Sequence, residues 1–328
     1  MTKQTNKTIA IIGAGIAGLS CAARLKELGH HVELFEKGRS PAGRMSTKRG
    51  EDWTADHGAQ YFTARDPLFV QQVDKWMTDQ VVARWEPTLK VFEANQWTIS
   101  TSKDIRYVGI PGMNAPAKQL AKDLTIHAGQ TIDALKRQAG KWFLHSTESG
   151  DIATGFDELL LAIPGPQALS LVRELDPAAK AIAERSNMKG CWTLMARFKD
   201  NVNVSFDAAF VNQEIISWIC KNLSKPKRTG KESWTIHANA EWSQEFIELS
   251  QADVIEKMLA CAKKLGLDCA EAEVSVHRWR YASGAASPTP AFYLNHELKL
   301  GLCGDWLNGG RVEGAWLSGH LLANNMSS

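Results

Sequence analysis

The sequence predicts an α/β protein of two domains, and three stretches carry that prediction. Residues 9–36 read as strand, glycine-rich turn, helix and strand ending in an acid. A second small-residue turn with an embedded arginine follows at 40–47. Residues 300–319 read as a strand ending in Gly-Asp, a loop and a helix rich in small residues. The 328-residue chain is 44% hydrophobic and 23% charged, an ordinary globular composition with enough apolar material for two domains.

Ile9 to Ile12 form a short apolar run suited to a buried parallel strand. Gly13-Ala14-Gly15-Ile16-Ala17-Gly18 then gives G-x-G-x-x-G. The first glycine permits a tight turn, the second lets a pyrophosphate approach the backbone, and the third lets the helix pack on the strand. The helix expected over Leu19 to Leu28, ended by Gly29, aims its N–H groups and positive dipole end at phosphates. A second strand, His31 to Phe35, delivers Glu36 to ribose hydroxyls, with Lys37 beside it. NAD and FAD both fit this unit.

Downstream, Pro41-Ala42-Gly43-Arg44-Met45 offers a guanidinium fork for a pyrophosphate. In Asp56-His57-Gly58-Ala59-Gln60-Tyr61-Phe62, glycine and alanine stand where bulk would block a flat ring system. At the far end, Asp305 can bond a ribitol hydroxyl. The helix after Gly309-Gly310-Arg311-Val312 can face the pyrimidine edge of a flavin and favour its reduced anion, with Ala315 in its first turns.

Other classes are weakly supported. A net charge of +2 makes no electrostatic case for nucleic acid, and the basic cluster Lys225-Pro226-Lys227-Arg228 reads as a solvated loop. Six cysteines without a C-x-x-C pair point to reduced, mostly buried thiols and a cytoplasmic protein. There is no tight metal-ligand spacing. Lys3 and Lys7 before an apolar stretch could pass for a signal peptide, but the glycines and the charged helical segment Arg24-Leu25-Lys26-Glu27 read better as strand and helix. No stretch is long and apolar enough to span a membrane.

GAGIAGL, PAGRM, DHGAQYF and CGDW…GRVEGAWLSG together resemble the flavin-containing amine oxidase superfamily, from Lys7 to Asn325, and within it the renalases, particularly bacterial ones. The segments Cys191–Phe198, Trp218–Pro226, Ile236–Asn239 and His277–Ala282 share that likeness. The resemblance implies a p-hydroxybenzoate hydroxylase-like FAD-binding Rossmann domain plus a mixed α+β substrate domain, with FAD bound non-covalently. It places Gly13, Ala14, Gly15, Ala17 and Gly18 at the pyrophosphate, Glu36 and Lys37 at the adenosine ribose, and Arg44 and Met45 at the diphosphate turn. Gly58, Ala59 and Gln60 fall along the ring system and Ile132 at adenine. Ala162 lies on the returning strand, and Asp305, Arg311, Val312 and Ala315 at the ribitol and pyrimidine end.

Because these motifs lie in separate stretches, the FAD domain is expected at 1–64, 129–165 and 295–328, and the substrate domain at 65–128 and 166–294. Strands are expected at Gly140 to His145 and Asp151 to Leu161. Helices are expected at Ala168 to Leu175, Ala178 to Ser186 and Ser250 to Leu265. Most tryptophans of the second domain read as packing. Tyr61, Asn222, His237, Arg278, Trp279 and Arg280 are the substrate-pocket candidates, each with a packing or turn-forming alternative.

Renalases, as the resemblance implies, oxidise 2- or 6-dihydro isomers of NADH or NADPH by hydride transfer to flavin N5. NAD(P)+ is the product, and oxygen is reduced to hydrogen peroxide. No catalytic acid or base is required, matching a sequence that offers polar clamps but no obvious catalytic pair. Arg278, Arg280 and His237 suit a pyrophosphate or carboxamide. The alternative is oxidation of a small amine, weakened because Cys191 to Phe198 lacks the lysine that amine oxidases place in that strand. A non-enzymatic FAD-stabilised binding or signalling protein and an NAD-dependent dehydrogenase are the remaining readings. Isomer preference, NAD against NADP and oligomeric state stay open.

Overall fold

The computed structural model describes residues 6–285 and 290–326. A six-stranded sheet runs in the order Phe292–Asn295, Leu300–Cys303, Glu158–Leu161, Thr8–Ile12, His31–Glu36, Thr125–Ala128. All neighbours are parallel except the first pair, which forms an antiparallel hairpin. Its central strands are apolar and buried on both faces, the pattern of a doubly covered sheet. The helices Ile16–Glu27 and Val312–Met326 pack against each other over one face. The edge strands at 125 and 292 begin a few residues before the expected boundaries of 129 and 295.

The expected strand Asp151 to Leu161 is two strands in two sheets. Gly150–Phe156 closes a three-stranded antiparallel sheet with Ile132–Gln138 and Lys141–Ser146, whereas Glu158–Leu161 enters the six-stranded sheet. The break falls at Asp157, whose carboxylate accepts from the N–H and hydroxyl of Thr8 at 2.9 and 2.8 Å while its own N–H donates to Thr8 O. The expected helices form within a few residues of their ends, as Gly165–Val172, Pro177–Glu184 and Gln251–Lys264. Asp176 and Ser250 cap the last two.

The second large sheet has seven strands: Glu273–Ala285, Asn187–Arg197, Ser233–Ala238, Ile216–Lys221, Ala208–Val211, Leu89–Glu93 and Gln96–Ile99. Side chains alternate between its faces. Trp192, Leu194, Ile219, Trp234 and Ile236 form one core with Val254 and Met258 of the helix Gln251–Lys264. Trp218 and Cys220 turn to the other side and join the core of the nucleotide-type sheet, with Leu19, Met45, Phe62 and Trp316. The two sheets therefore share one apolar seam. Among the described residues, no helix is long and apolar enough to cross a membrane.

Candidate functional site

The glycine turn is built as its spacing predicts. Gly13 has φ +100°, and a Cβ there would lie 2.6 Å from Ala162 O. A Cβ on Gly18 would meet Gly13 O and the Cβ of Ala162, so helix and strand touch through the missing side chain. At Gly15 a Cβ would point into open space, where a pyrophosphate needs room. No side chain caps the helix Ile16–Glu27 and no acid stands in its first turn, so its N–H groups and positive end are free to receive an anion. Ala14 N–H and Gly38 N–H donate to the two oxygens of Glu36 at 2.8 and 2.7 Å, which orients that carboxylate at the strand end. Gln130 N–H donates to Glu36 O, bringing the buried Ile132 alongside. Lys37 is exposed, Met45 and Ala17 are buried in the core, and Ala162 N–H donates to Ile12 O.

Arg44 and Asp305, 261 residues apart, meet as a two-pronged ion pair with N···O distances of 2.8 and 2.6 Å. The same guanidinium donates to Ala282 O at 3.0 Å. The two positions assigned separately to diphosphate and ribitol thus adjoin. Ala59 N–H donates to Arg44 O, and a Cβ on Gly58 would overlap that oxygen. Gly58 is therefore small because it packs on the Arg44 turn, a correction to the reading that it clears a ring. Val312 opens the C-terminal helix with Ala315 buried behind it, while Arg311 is exposed. Glu313, in the first turn of that helix, accepts from Arg65 and Asp66 N–H at 2.6 and 2.7 Å. The turn, the open space at Gly15 and the adjoining Arg44–Asp305 end fit a dinucleotide.

Facing this cradle is one side of the seven-stranded sheet. His277, Thr193, His237 and Trp218 occupy one row across four neighbouring strands, and Trp279 pairs with Cys191 in the next. His57 from the DHGAQYF segment stacks on Trp279 with ring centroids 5.2 Å apart, and its carbonyl accepts from the Trp279 indole at 2.9 Å. Tyr61 contacts Trp218 and Trp85, with Arg106 over its ring. Burial, the nearby Lys225 cation and His57 lower His237 to about 4, and its Nε2 has no partner. Burial, His277 and Lys48 likewise lower His57 to about 4; burial and Lys48 lower His277. All three rings are shifted toward the neutral imidazole. Among the described residues, no three His, Cys, Asp or Glu side chains converge to hold a metal.

Three pocket expectations are overturned. Asn222 is fully buried and its amide is spent: its oxygen accepts from Asp56 N–H, and its nitrogen donates to Ser233 O and Thr235 Oγ1. Arg278 and Arg280 lie on the opposite face of their strand from Trp279, both paired with Glu248. The alternation in His277-Arg278-Trp279-Arg280 already forbids all three from facing one pocket. Gln60 does not lie open along a ring: its amide nitrogen bonds Asp56 O and Gly58 O, and its oxygen accepts from Lys225 at 3.2 Å.

The basic cluster is a further correction. Lys225 and Arg228 are buried, and both pair with Asp56, at 3.0 and 2.6 Å. The other oxygen of Asp56 accepts from Thr47 Oγ1 and Met113 N–H. Burial alone would raise this carboxyl, but Lys225 and Arg228 outweigh it and hold Asp56 well below the usual carboxylate range. His57, His277, Trp218 and the Asp56 cluster escaped sequence reasoning. Strand alternation could have found His277 and Trp218, while nothing local places His57 against Trp279 or pairs residue 56 with 225 and 228.

This is a two-sheet dinucleotide-cradle fold with a histidine- and aromatic-lined face opposite the cradle. Comparison with known proteins places it. Residues 83–327 match the family described as "Flavin containing amine oxidoreductase", and residues 11–75 match "NAD(P)-binding Rossmann-like domain". The chain belongs to the flavin-containing amine oxidoreductase family, and membership implies a flavin cofactor. A putative protoporphyrinogen oxidase from Exiguobacterium sp. 255-15 has a similar fold, with a TM-score of 0.80 over 99% of each chain at 12% identity. Cyclohexylamine oxidase from Brevibacterium oxydans IH-35A gives 0.73 over 98% of this chain and 99% of that one, at 10% identity. The 4,4'-diapophytoene desaturase (4,4'-diaponeurosporene-forming) of Staphylococcus haemolyticus (strain JCSC1435) is 48% identical over 50 residues, 15% of this chain and 10% of that protein. The match thus spans about a tenth of that curated relative's length.

Proposed function

We propose that this protein is a renalase-type FAD-dependent oxidase of 2- and/or 6-dihydro isomers of NAD(P)H, yielding NAD(P)+ and hydrogen peroxide. The observation that supports this reading is the charge of the face opposite the cradle. Its histidines are shifted toward the neutral form, the cations Arg106 and Lys225 lie over the Tyr61 and Trp85 rings, and its buried carboxylate, Asp56, already has four donors. Such a face offers an ammonium no counter-ion. It suits a neutral, electron-rich ring carried on an anionic dinucleotide.

When bound, FAD supplies a hydride acceptor and a two-electron route to oxygen. In this reading Gly13–Gly18, Glu36 and Arg44 hold its dinucleotide, and Asp305 and Val312 hold the ribitol and pyrimidine end. Trp218, Trp279 and Tyr61 exclude water and orient the substrate ring, and the neutral histidines bond it without taking its proton. Five of the six cysteines are buried. The half-buried Cys191 has its thiol pushed up to about 12 by burial, which supports non-covalent FAD.

Amine oxidation is the second reading, favoured by the likeness to cyclohexylamine oxidase and to putrescine oxidase bound to putrescine. Anaerobic protein mixed with borohydride-derived NADH isomers is expected to lose its flavin absorbance rapidly, while benzylamine, cyclohexylamine or putrescine leave it unchanged. Rapid bleaching by an amine alone overturns the dinucleotide reading; bleaching by neither supports a binding or signalling protein.

A further inference from the structure

The Asp56 cluster holds more positive charge than a structural lock needs. Lys225, Arg228 and Asp56 have side chains 0%, 1% and 0% exposed, so two cations share one carboxylate out of reach of water. One cation would satisfy Asp56. The second leaves the group with a net charge of +1, and a buried charge without a counter-charge is costly where a well-packed apolar side chain would serve as well. Other acids nearby do not cancel it. Glu232 is paired with Lys221 at 2.8 Å, and Asp207 accepts from Thr88 N–H.

Hydrogen bonds tie Lys225 to the cradle. Lys225 Nζ donates to Gln60 Oε1, Gln60 donates to Gly58 O, and the residue after Gly58 donates to the Arg44 carbonyl. Arg44 in turn grips Asp305. The field of Lys225 also reaches the facing sheet, where it adds to the lowering of His237 and offsets part of the rise that burial imposes on Cys220.

We infer that Lys225 is a positioning residue for the flavin: it holds the Gln60 segment and supplies a fixed buried positive charge that stabilises negative charge on the reduced cofactor. The inference rests on the reading above that Arg44 and Asp305, to which the Gln60 segment is bonded, hold the flavin cofactor.

The test uses the FAD-loaded protein and two measurements that need no substrate: the two-electron midpoint potential, and the affinity for sulfite, whose adduct places negative charge on the flavin. Lys225→Met keeps the Asp56–Arg228 pair and the volume of the side chain. It is expected to lower the potential and weaken sulfite binding by about tenfold or more, the order of magnitude of one buried unit charge acting at an effective dielectric constant of about 20. Lys225→Arg is expected to restore both. A Lys225→Met protein that retains FAD with wild-type potential and sulfite affinity overturns the inference, as does a Lys225→Arg protein that behaves like Lys225→Met. If Lys225→Met does not hold FAD, the wild-type protein decides. A potential above that of free FAD with a sulfite adduct supports the inference, and a potential at or below it without an adduct overturns it. Failure of the dinucleotide reading shows separately, as absence of flavin bleaching by NADH isomers.

Discussion

Asp56 and Glu248 each hold two cations, and the same chemistry has opposite weight in the two places. Asp56 clasps Lys225 and Arg228 where none of the three side chains reaches water, and it joins the start of the cradle's DHGAQYF stretch to the turn after strand Ile216–Lys221. Glu248 clasps Arg278 and Arg280 with side chains 65%, 33% and 46% exposed, on the face turned away from the site. A buried ion pair lives in low dielectric and punishes the loss of either partner, whereas an exposed pair trades with water and salt. The basic residues that sequence reasoning assigned to a solvated loop are structural and electrostatic, and the arginines it assigned to substrate are surface ties.

The largest break in that comparison comes from Asp56→Ala. It leaves two buried cations without a counter-ion and is expected to cost about 3–5 kcal/mol in urea unfolding, with loss of bound flavin. A loss under 1 kcal/mol would mean water reaches the cluster.

Acid sharpens the same contrast. The folded carboxyl of Asp56 lies well below its unfolded value of about 3.9. Its stabilisation is therefore full above about pH 4 and is lost as pH falls toward the folded value. Unfolding followed between pH 5 and 2 should show this fall in the wild type and a shallower one in Asp56→Asn.

The histidines extend the comparison to a titrating group. Buried His237 is lowered to about 4, so the unfolded chain takes up a proton first and stability declines as pH drops from about 6.5 toward 4. His237→Leu should flatten that slope. Exposed His145 is raised by its hydrogen bond to Asp133, so its small contribution is present below about pH 6.5 and is lost as pH rises through the folded value. His145→Gln should leave the slope between pH 6.5 and 4 almost unchanged.

The smallest effect is expected for Glu248→Gln: little or no change in Tm at physiological salt, none at high salt, and an unchanged rate of flavin reduction. A slowed rate would return Arg278 and Arg280 to the site.

Much of the cradle was legible because its information is local. Gly13, Gly15, Gly18 and Glu36 lie within one strand–turn–helix–strand unit, where chain geometry and the need for a missing Cβ act over a few residues. The facing wall was legible only in part. Trp279 and His237 were singled out, but Arg278, Arg280 and Asn222 were drawn in with them. Strand alternation separates the arginines from Trp279, and only the packed fold shows that the amide of Asn222 is already used.

The sequence by itself determined that this chain folds a dinucleotide cradle from a glycine turn, an acid-ended strand and a C-terminal Gly-Asp strand and helix. Hydrogen bonding, dipole direction and steric clearance at those positions follow from near neighbours. Only the tertiary structure decided which side chains face the cradle and which charges are buried. Those properties depend on residues 56, 225 and 228, or 44 and 305, meeting across the fold, and a carboxylate's burial and a lysine's partner are properties of the packed whole.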